Sequence, residues 1–376
     1  MTRILHLFDG GADWEQRVAV TQLLERLPDG EHLQWLASIS VQVPGPDWFD
    51  GRDVVRTPAR LGLAFSASPS LRRLMETQRI DLVHAWGTQA AVAASAARPD
   101  GCGLVVGRFD PYVSTAEAKM CRTIGGHERF AFSCSCQRAC RRLIECGVPA
   151  DRCVIIRPGV DFGVIRAAKK DKSIRRDLGL TPKHRVLIAA HPVDRRGGHD
   201  RILWGGHLCH YVDTSCRLVL YGDSAECRRL ERLSRGMIAP HATIWPGIGH
   251  RYEDLIAVAD ALVITANTDV PTTPIAWAMA ASVPVLGSAV YCVAELIAHK
   301  QNGLLIKPDA GPATSVAIAA MWTRLNGLDR EKEVARGQAY EVFSARRFVD
   351  QHLTLYDNLA RGIRPSENIH DSAVVQ

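Results

Sequence analysis

Residues 3–12 read RILHLFDGGA, so two adjacent glycines, Gly10 and Gly11, follow directly on an apolar run. After them Val18, Val20, Leu23, Leu24 and Leu27 recur at helical spacing, which makes the segment strand, glycine turn, helix. Adjacent glycines let backbone approach a ligand closely, and the helix that follows offers unpaired N–H groups to an anion. The complete Gly-x-Gly-x-x-Gly fingerprint of dinucleotide binding is missing, and a plain turn is the competing reading. A second group with chemical potential is Cys134, Cys136, Cys140, Cys146 and Cys153. Cys-x-Cys-x3-Cys supplies thiolates for zinc, but no Cys-x-x-Cys pair is present, and small residues at strand-to-turn positions serve packing equally well. His199, His207 and His210 share one helical segment without a matching carboxylate. No metal is expected at either place.

These residues are positioned by a chain of 376 residues, long enough for two cores. Short apolar runs at 3–8, 81–84, 104–106 and 154–156 alternate with helical patterns, and the rhythm returns at 185–190, 216–221, 242–245, 261–265 and 283–286. Such alternation predicts parallel βαβ units, hence an α/β fold of two Rossmann-like, doubly wound sheets. The charged stretch AAKKDKSIRRDLG, inside residues 162–180, reads as an exposed linker leading into a helix. The expected division is residues 1–168, then 169–345, then a terminal helix at 346–361 and a flexible tail at 362–376. In open sheets of this kind ligands bind beyond the carboxyl ends of the strands, where strand order reverses.

Forty-six basic against 40 acidic residues give a formal charge of +6, too diffuse for a nucleic-acid stripe but suited to an anionic small molecule. Arg138, Arg141 and Arg142 make contact with an acidic membrane surface a further expectation, against a solvated helix face. No run approaches the roughly 20 apolar residues of a membrane span. Eleven cysteines, an odd number in a chain large enough to fold without disulfides, favour reduced thiols and a cytoplasmic location, including the inner membrane face.

Several ordered landmarks carry a resemblance. Gly147-Val148-Pro149, Pro158-Gly159-Val160-Asp161, LVLYGDSAECRRLE (218–231), Tyr252-Glu253-Asp254-Leu255, AMAASVPVL (278–286), Glu295-Leu296-Ile297, Asn302-Gly303-Leu304-Leu305 and FSARRFVDQHLTLY (343–356) stand in the order found in glycosyltransferases of group 1, family 4-like, with the two-domain GT-B fold. The resemblance covers most of residues 130–358. It implies a divergent member of that family: a retaining hexosyltransferase of polysaccharide biosynthesis that moves sugar from a nucleoside-diphosphate sugar to a saccharide or lipid-linked acceptor without a bound metal.

It also implies roles. Arg196 matches the family's diphosphate lysine, with Arg195 beside it, while His191 replaces the family's arginine. Asp269 matches the first carboxylate of Glu-x7-Glu, and Trp277 falls where the second would hold a ribose. Arg196 and Asp269 are the implied catalytic pair. Gly10, Gly11, His191, Arg195, Thr272, Thr273 and Glu295 are the implied donor contacts, the two threonines meeting a phosphate at a helix start. Phe109 lies in the stretch where the family's His of the first domain is lost. A descendant that keeps the fold without catalysis is the alternative.

Overall fold

The computed structural model of the chain describes residues 1–9, 14–27, 32–39, 52–57, 64–125, 128–190, 192–308, 311–367 and 369. Gly10, Gly11 and His191 lie outside the described residues. The chain divides into two compact units, one of residues 1–159 completed by the chain from Ala345, the other of residues 160–344.

In the first unit β1 (Thr2–Phe8) leads to α1 (Trp14–Arg26), β2 (His32–Ser38), β3 (Val54–Arg56), α2 (Ser68–Gln78), β4 (Leu82–Trp86), α3 (Thr88–Ala97), β5 (Gly103–Arg108), α4 (Thr115–Gly125), β6 (Phe130–Cys134), α5 (Gln137–Glu145) and β7 (Cys153–Ile155). The sheet order is β3-β2-β1-β4-β5-β6-β7, with every pairing parallel. Central strands β4, β5 and β6 are buried along their whole length, which is why they read as continuous apolar runs. Strands β2 and β3 escaped the sequence reading because they approach the edge and keep half-exposed, mixed residues.

The second unit opens with α6 (Phe162–Lys170) and α7 (Lys172–Asp177), where the sequence suggested a linker. The charges sit on exposed faces, while Ile165, Ala168 and Ile174 are buried. Asp161 caps α6 by accepting from Gly163 N (2.6 Å) and Val164 N (3.2 Å), and Asp171 caps α7 through Ser173 N (2.7 Å). The division after Gly159 therefore precedes residue 168. There follow β8 (Arg185–Ala189), α8 (His199–Val212), β9 (Cys216–Val219), α9 (Ala225–Arg235), β10 (Thr243–Ile244), α10 (Tyr252–Ala257), β11 (Ala261–Ile264), α11 (Thr273–Ala280), β12 (Val285–Ser288), α12 (Tyr291–Ala294), β13 (Leu304–Ile306), α13 (Pro312–Thr323) and α14 (Asp329–Val342). Helix α6 packs against α10. The parallel sheet runs β10-β9-β8-β11-β12-β13, so the order reverses between β8 and β11.

The last helix, α15 (Ala345–Arg361), belongs to the first unit, where Phe348, Leu355, Tyr356 and Leu359 join Ile4, Phe8, Leu23 and Val105 in the core. Polar contacts accompany this packing. The Tyr356 hydroxyl is 2.7 Å from His84 Nδ1, and Ser133 Oγ lies 3.1 Å from His352 Nε2, whose Nδ1 meets the carbonyl of Phe348 at 2.9 Å. On the same strand as His84, Trp86 Nε1 donates to Nδ1 of His6 on neighbouring β1 (3.3 Å), leaving His6 Nε2–H to donate to Gln34 Oε1 (3.0 Å). Burial pulls His6 and His352 down to about 4 and His84 well below the ordinary imidazole range, so all three are neutral at pH 7. The start of the expected tail is docked: Asn358 Nδ2 donates to the carbonyls of Pro365 (3.2 Å) and Glu367 (2.7 Å), and Ile369 packs on the core.

Candidate functional site

Strands β8 and β11 are neighbours at the reversal of strand order, and the loops leaving their carboxyl ends line a narrow cleft. One wall is Ala190, Pro192, Asp194, Gly197 and His199, the other Ile264, Val270 and Pro271. This is the crevice in which open α/β sheets hold ligands.

Asp194 shapes the first loop. Its Oδ1 accepts from the N–H groups of Arg196 and Gly197, both at 2.9 Å, and its Oδ2 accepts from Arg196 Nε at 2.9 Å. Arg196 is thereby fixed by its Nε edge, and its side chain stays 28% exposed. Arg195, expected beside it as a donor contact, has a side chain that is 90% exposed and stands 3.9 Å from Glu226. The Asp194 turn seats one of two successive arginines and leaves the other in solvent.

Gly198 closes the loop with φ +64°; a Cβ there would stand 1.9 Å from Arg201 Nη2. Buried His199 places Nε2 2.8 Å from Ala190 O and Nδ1 3.2 Å from Asp194 O. Burial lowers its pKa, and a neutral ring can donate to one of these two carbonyls. The two loops are tied together by groups that the sequence reading missed. Arg201 Nη2 donates to Thr265 O (2.9 Å) and Asn267 Oδ1 (3.2 Å), while Thr265 Oγ1 reaches the carbonyls of Gly198 (2.8 Å) and Gly197 (3.1 Å). Only Gly197-Gly198 hinted at this, as a tight turn ahead of a helix.

On the second wall Asp269 Oδ1 accepts from Cys292 N at 3.2 Å, and Val270 N donates to Cys292 Sγ at 3.1 Å, which ties the loop to α12. Thr272 and Thr273 follow at the amino end of α11, buried at 1% and 2% exposure. Among the described residues neither hydroxyl has a hydrogen-bond partner. Thr272 does not cap its own helix, although its carbonyl accepts from Ile275 N (3.0 Å) and Ala276 N (3.2 Å). Buried hydroxyls are ordinarily satisfied, so two adjacent exceptions at a helix terminus stand out. Trp277, where the resemblance expects a ribose carboxylate, is 1% exposed within α11. Glu295 is buried at the end of α12.

In the first unit Asp9, next to the expected glycine turn, accepts from Gln89 N (3.3 Å) and from Ala90 N at the amino end of α3. The protein's own carboxylate thus meets the N–H groups of that helix. Arg108 is committed to Thr88 Oγ1 (3.2 Å), Tyr112 O (2.5 Å) and Glu117 (3.6 Å), and Phe109 stacks on Trp86 with centroids 5.9 Å apart. All eleven cysteines are free thiols. Among the described residues no three His, Cys, Asp or Glu side chains are grouped to hold a metal ion, and no helix is long and apolar enough to cross a membrane.

Residues 19–163 match the model of Glycosyltransferase Family 4, and residues 206–324 that of Glycosyl transferases group 1. The chain is 26% identical over 197 residues to N-acetyl-alpha-D-glucosaminyl L-malate synthase of Bacillus anthracis, a stretch covering 51% of each, so the match spans about half of that relative. Among solved structures, HepE of Anabaena in complex with UDP and glucose superposes with TM-score 0.76 at 16% identity, covering 94% of this chain and 98% of that one. Sucrose-phosphate synthase of Thermosynechococcus elongatus gives TM-score 0.74 at 16% identity over 96% and 99%. The two α/β units, each built on a parallel sheet, have the GT-B glycosyltransferase fold, and each contains a stretch that matches one of these two glycosyltransferase family models.

Proposed function

We propose that the second unit binds a nucleoside-diphosphate sugar in the β8–β11 crevice and that the protein transfers the sugar, a hexose, to a saccharide or lipid-linked acceptor with retention of anomeric configuration. The observation that carries this reading is the pair of buried, unpartnered hydroxyls of Thr272 and Thr273 at the start of α11. A diphosphate supplies the acceptors these hydroxyls lack, and the helix terminus adds a favourable dipole. Arg196 sits on the loop from the neighbouring strand with its Nε held by Asp194, and in this scheme its guanidinium meets the same diphosphate. Departure of a nucleoside diphosphate leaves negative charge that these groups stabilise without a metal ion. Asp269 faces the donor sugar in this scheme, and His191 and Glu295 complete the donor contacts.

HepE has been crystallised with UDP-glucose, which makes uridine nucleotides the first to try. Titration calorimetry with UDP, UDP-glucose and UDP-N-acetylglucosamine, followed by assay of nucleotide release, tests the reading. Binding that weakens about tenfold or more in Arg196→Ala is expected. Absence of binding to every nucleotide sugar, those of other bases included, removes it. Retention is read from the anomeric configuration of the product by NMR.

The second reading, a nucleotide-binding or partner-binding protein without transferase activity, is favoured by Trp277, which is fully buried and can only donate. Tight nucleotide binding with no turnover of any donor would select it.

A further inference from the structure

The outer face of the second unit carries an apolar surface unrelated to the crevice. Helices α8 and α9 follow β8 and β9 in the same crossover direction and so cover one face of the sheet, and α13 packs against α8 on that face. Gly205 lets the two approach closely, since a Cβ there would stand 2.6 Å from Ile318 of α13. On the outside of α8 the i, i+4, i+7 positions are Trp204 (52% exposed), Leu208 and Tyr211 (86%), continued by Val212. Helix α13 holds no charged residue, and its outer side shows Val316. The turn after α9 raises Ile238 fully into solvent, and the short 3-10 turn that follows, Pro240–Ala242, packs on α8.

We infer that this face docks onto the surface of a bilayer containing anionic lipid. Exposed tryptophan and tyrosine beside aliphatic side chains suit the interface between headgroups and acyl chains. Charge complementarity selects the anionic surface. Helix α9 carries Arg228, Arg229, Arg232 and Arg235 against Glu226 and Glu231. The carboxylates hold Arg229 (2.5 Å) and Arg235 (2.9 Å), whereas Arg228 and Arg232 donate to backbone carbonyls and keep their charge uncompensated. Arg217 of β9, whose guanidinium reaches His210 near the end of α8 (3.4 Å), adds a cation there. The carboxylate on the apolar stripe is Asp200, at its far end and 3.8 Å from Arg201. Lipid phosphates would supply the counter-charge that Arg228 and Arg232 lack within the unit. In the first unit Arg138 and Arg142 of α5 both face Glu145 (3.6 and 2.7 Å), which makes that helix the poorer candidate for membrane contact.

Co-sedimentation of the full chain with phosphatidylcholine vesicles, with and without phosphatidylglycerol, tests the inference. Binding to the anionic vesicles alone is expected, weakening with salt and falling about tenfold or more in each of Trp204→Ser/Tyr211→Ser and Arg228→Glu/Arg232→Glu. Ile238→Asp, a change at a wholly exposed position, should weaken it without altering the melting temperature. Failure to bind anionic vesicles at low salt, or binding indifferent to all three variants, overturns the inference. So does a concentration-dependent dimer in sedimentation equilibrium that Trp204→Ser/Tyr211→Ser abolishes, since the face would then join two copies.

Discussion

The hydroxyl of Tyr356 stands 2.7 Å from Nδ1 of His84, joining the last helix to the middle of a sheet formed 272 residues earlier. Tyr356→Phe keeps the ring and removes the hydrogen-bond partner of Nδ1 in a buried imidazole. A loss of about 1–3 kcal/mol in urea denaturation is expected; an unchanged midpoint would mean that the contact contributes nothing net.

Acid should weaken the first unit. His6 and His352 are held neutral down to about 4, whereas an unfolded chain protonates them near 6.5. Below about pH 6.5 the unfolded state therefore binds more protons, and stability falls as pH drops toward 4, levelling off below the folded values. Each histidine contributes a slope of up to roughly 1.4 kcal/mol per pH unit in that window. Denaturation midpoints measured from about pH 7 to about pH 5 should decline, and His352→Gln should flatten the decline.

Two glycines with nearly the same backbone angle separate conformational strain from crowding. Gly198 (φ +64°) meets Arg201 and Thr265 at once, while Gly179 (φ +68°) has nothing within 4 Å of an added Cβ. Gly179→Ala should cost about 1 kcal/mol. Gly198→Ala should cost at least about 2 kcal/mol more, because Arg201 must leave the carbonyl of Thr265. Equal melting shifts would contradict the tie between the two loops.

Thr272→Val and Thr273→Val offer opposite signs in one experiment. Each removes a buried hydroxyl that has no partner, so the free protein should hold its stability or gain up to about 1 kcal/mol. Nucleotide-sugar affinity should fall several-fold. Lower stability together with unaltered affinity would show that the hydroxyls serve the core and not a ligand.

Much of the second unit was legible because its strands are buried on both faces: Val186–Ala189 and Ala261–Ile264 are continuous apolar runs that only a parallel sheet explains. Strands β3 and β13 were not, since three-residue edge strands leave no period to read. Within the crevice, residue type suggested cations but not their fate. Arg195 and Arg196 are chemically identical neighbours, and only the Asp194 turn decides which is seated. Thr265 and Arg201 looked like ordinary strand-end and helix residues; their roles arise from hydrogen bonds to carbonyls on another loop, for which no spacing rule exists.

Helix α15 has a consequence for synthesis. A nascent chain that has delivered residues 1–159 to the solvent still lacks Phe348, Leu355, Tyr356 and Leu359, which the core of that unit requires. The second unit, whose segment is continuous, can mature while the first waits on the ribosome for its closing helix. A stop codon shortly before Ala345 would therefore spare the unit nearest the truncation and leave the distant, earlier-made one unable to close.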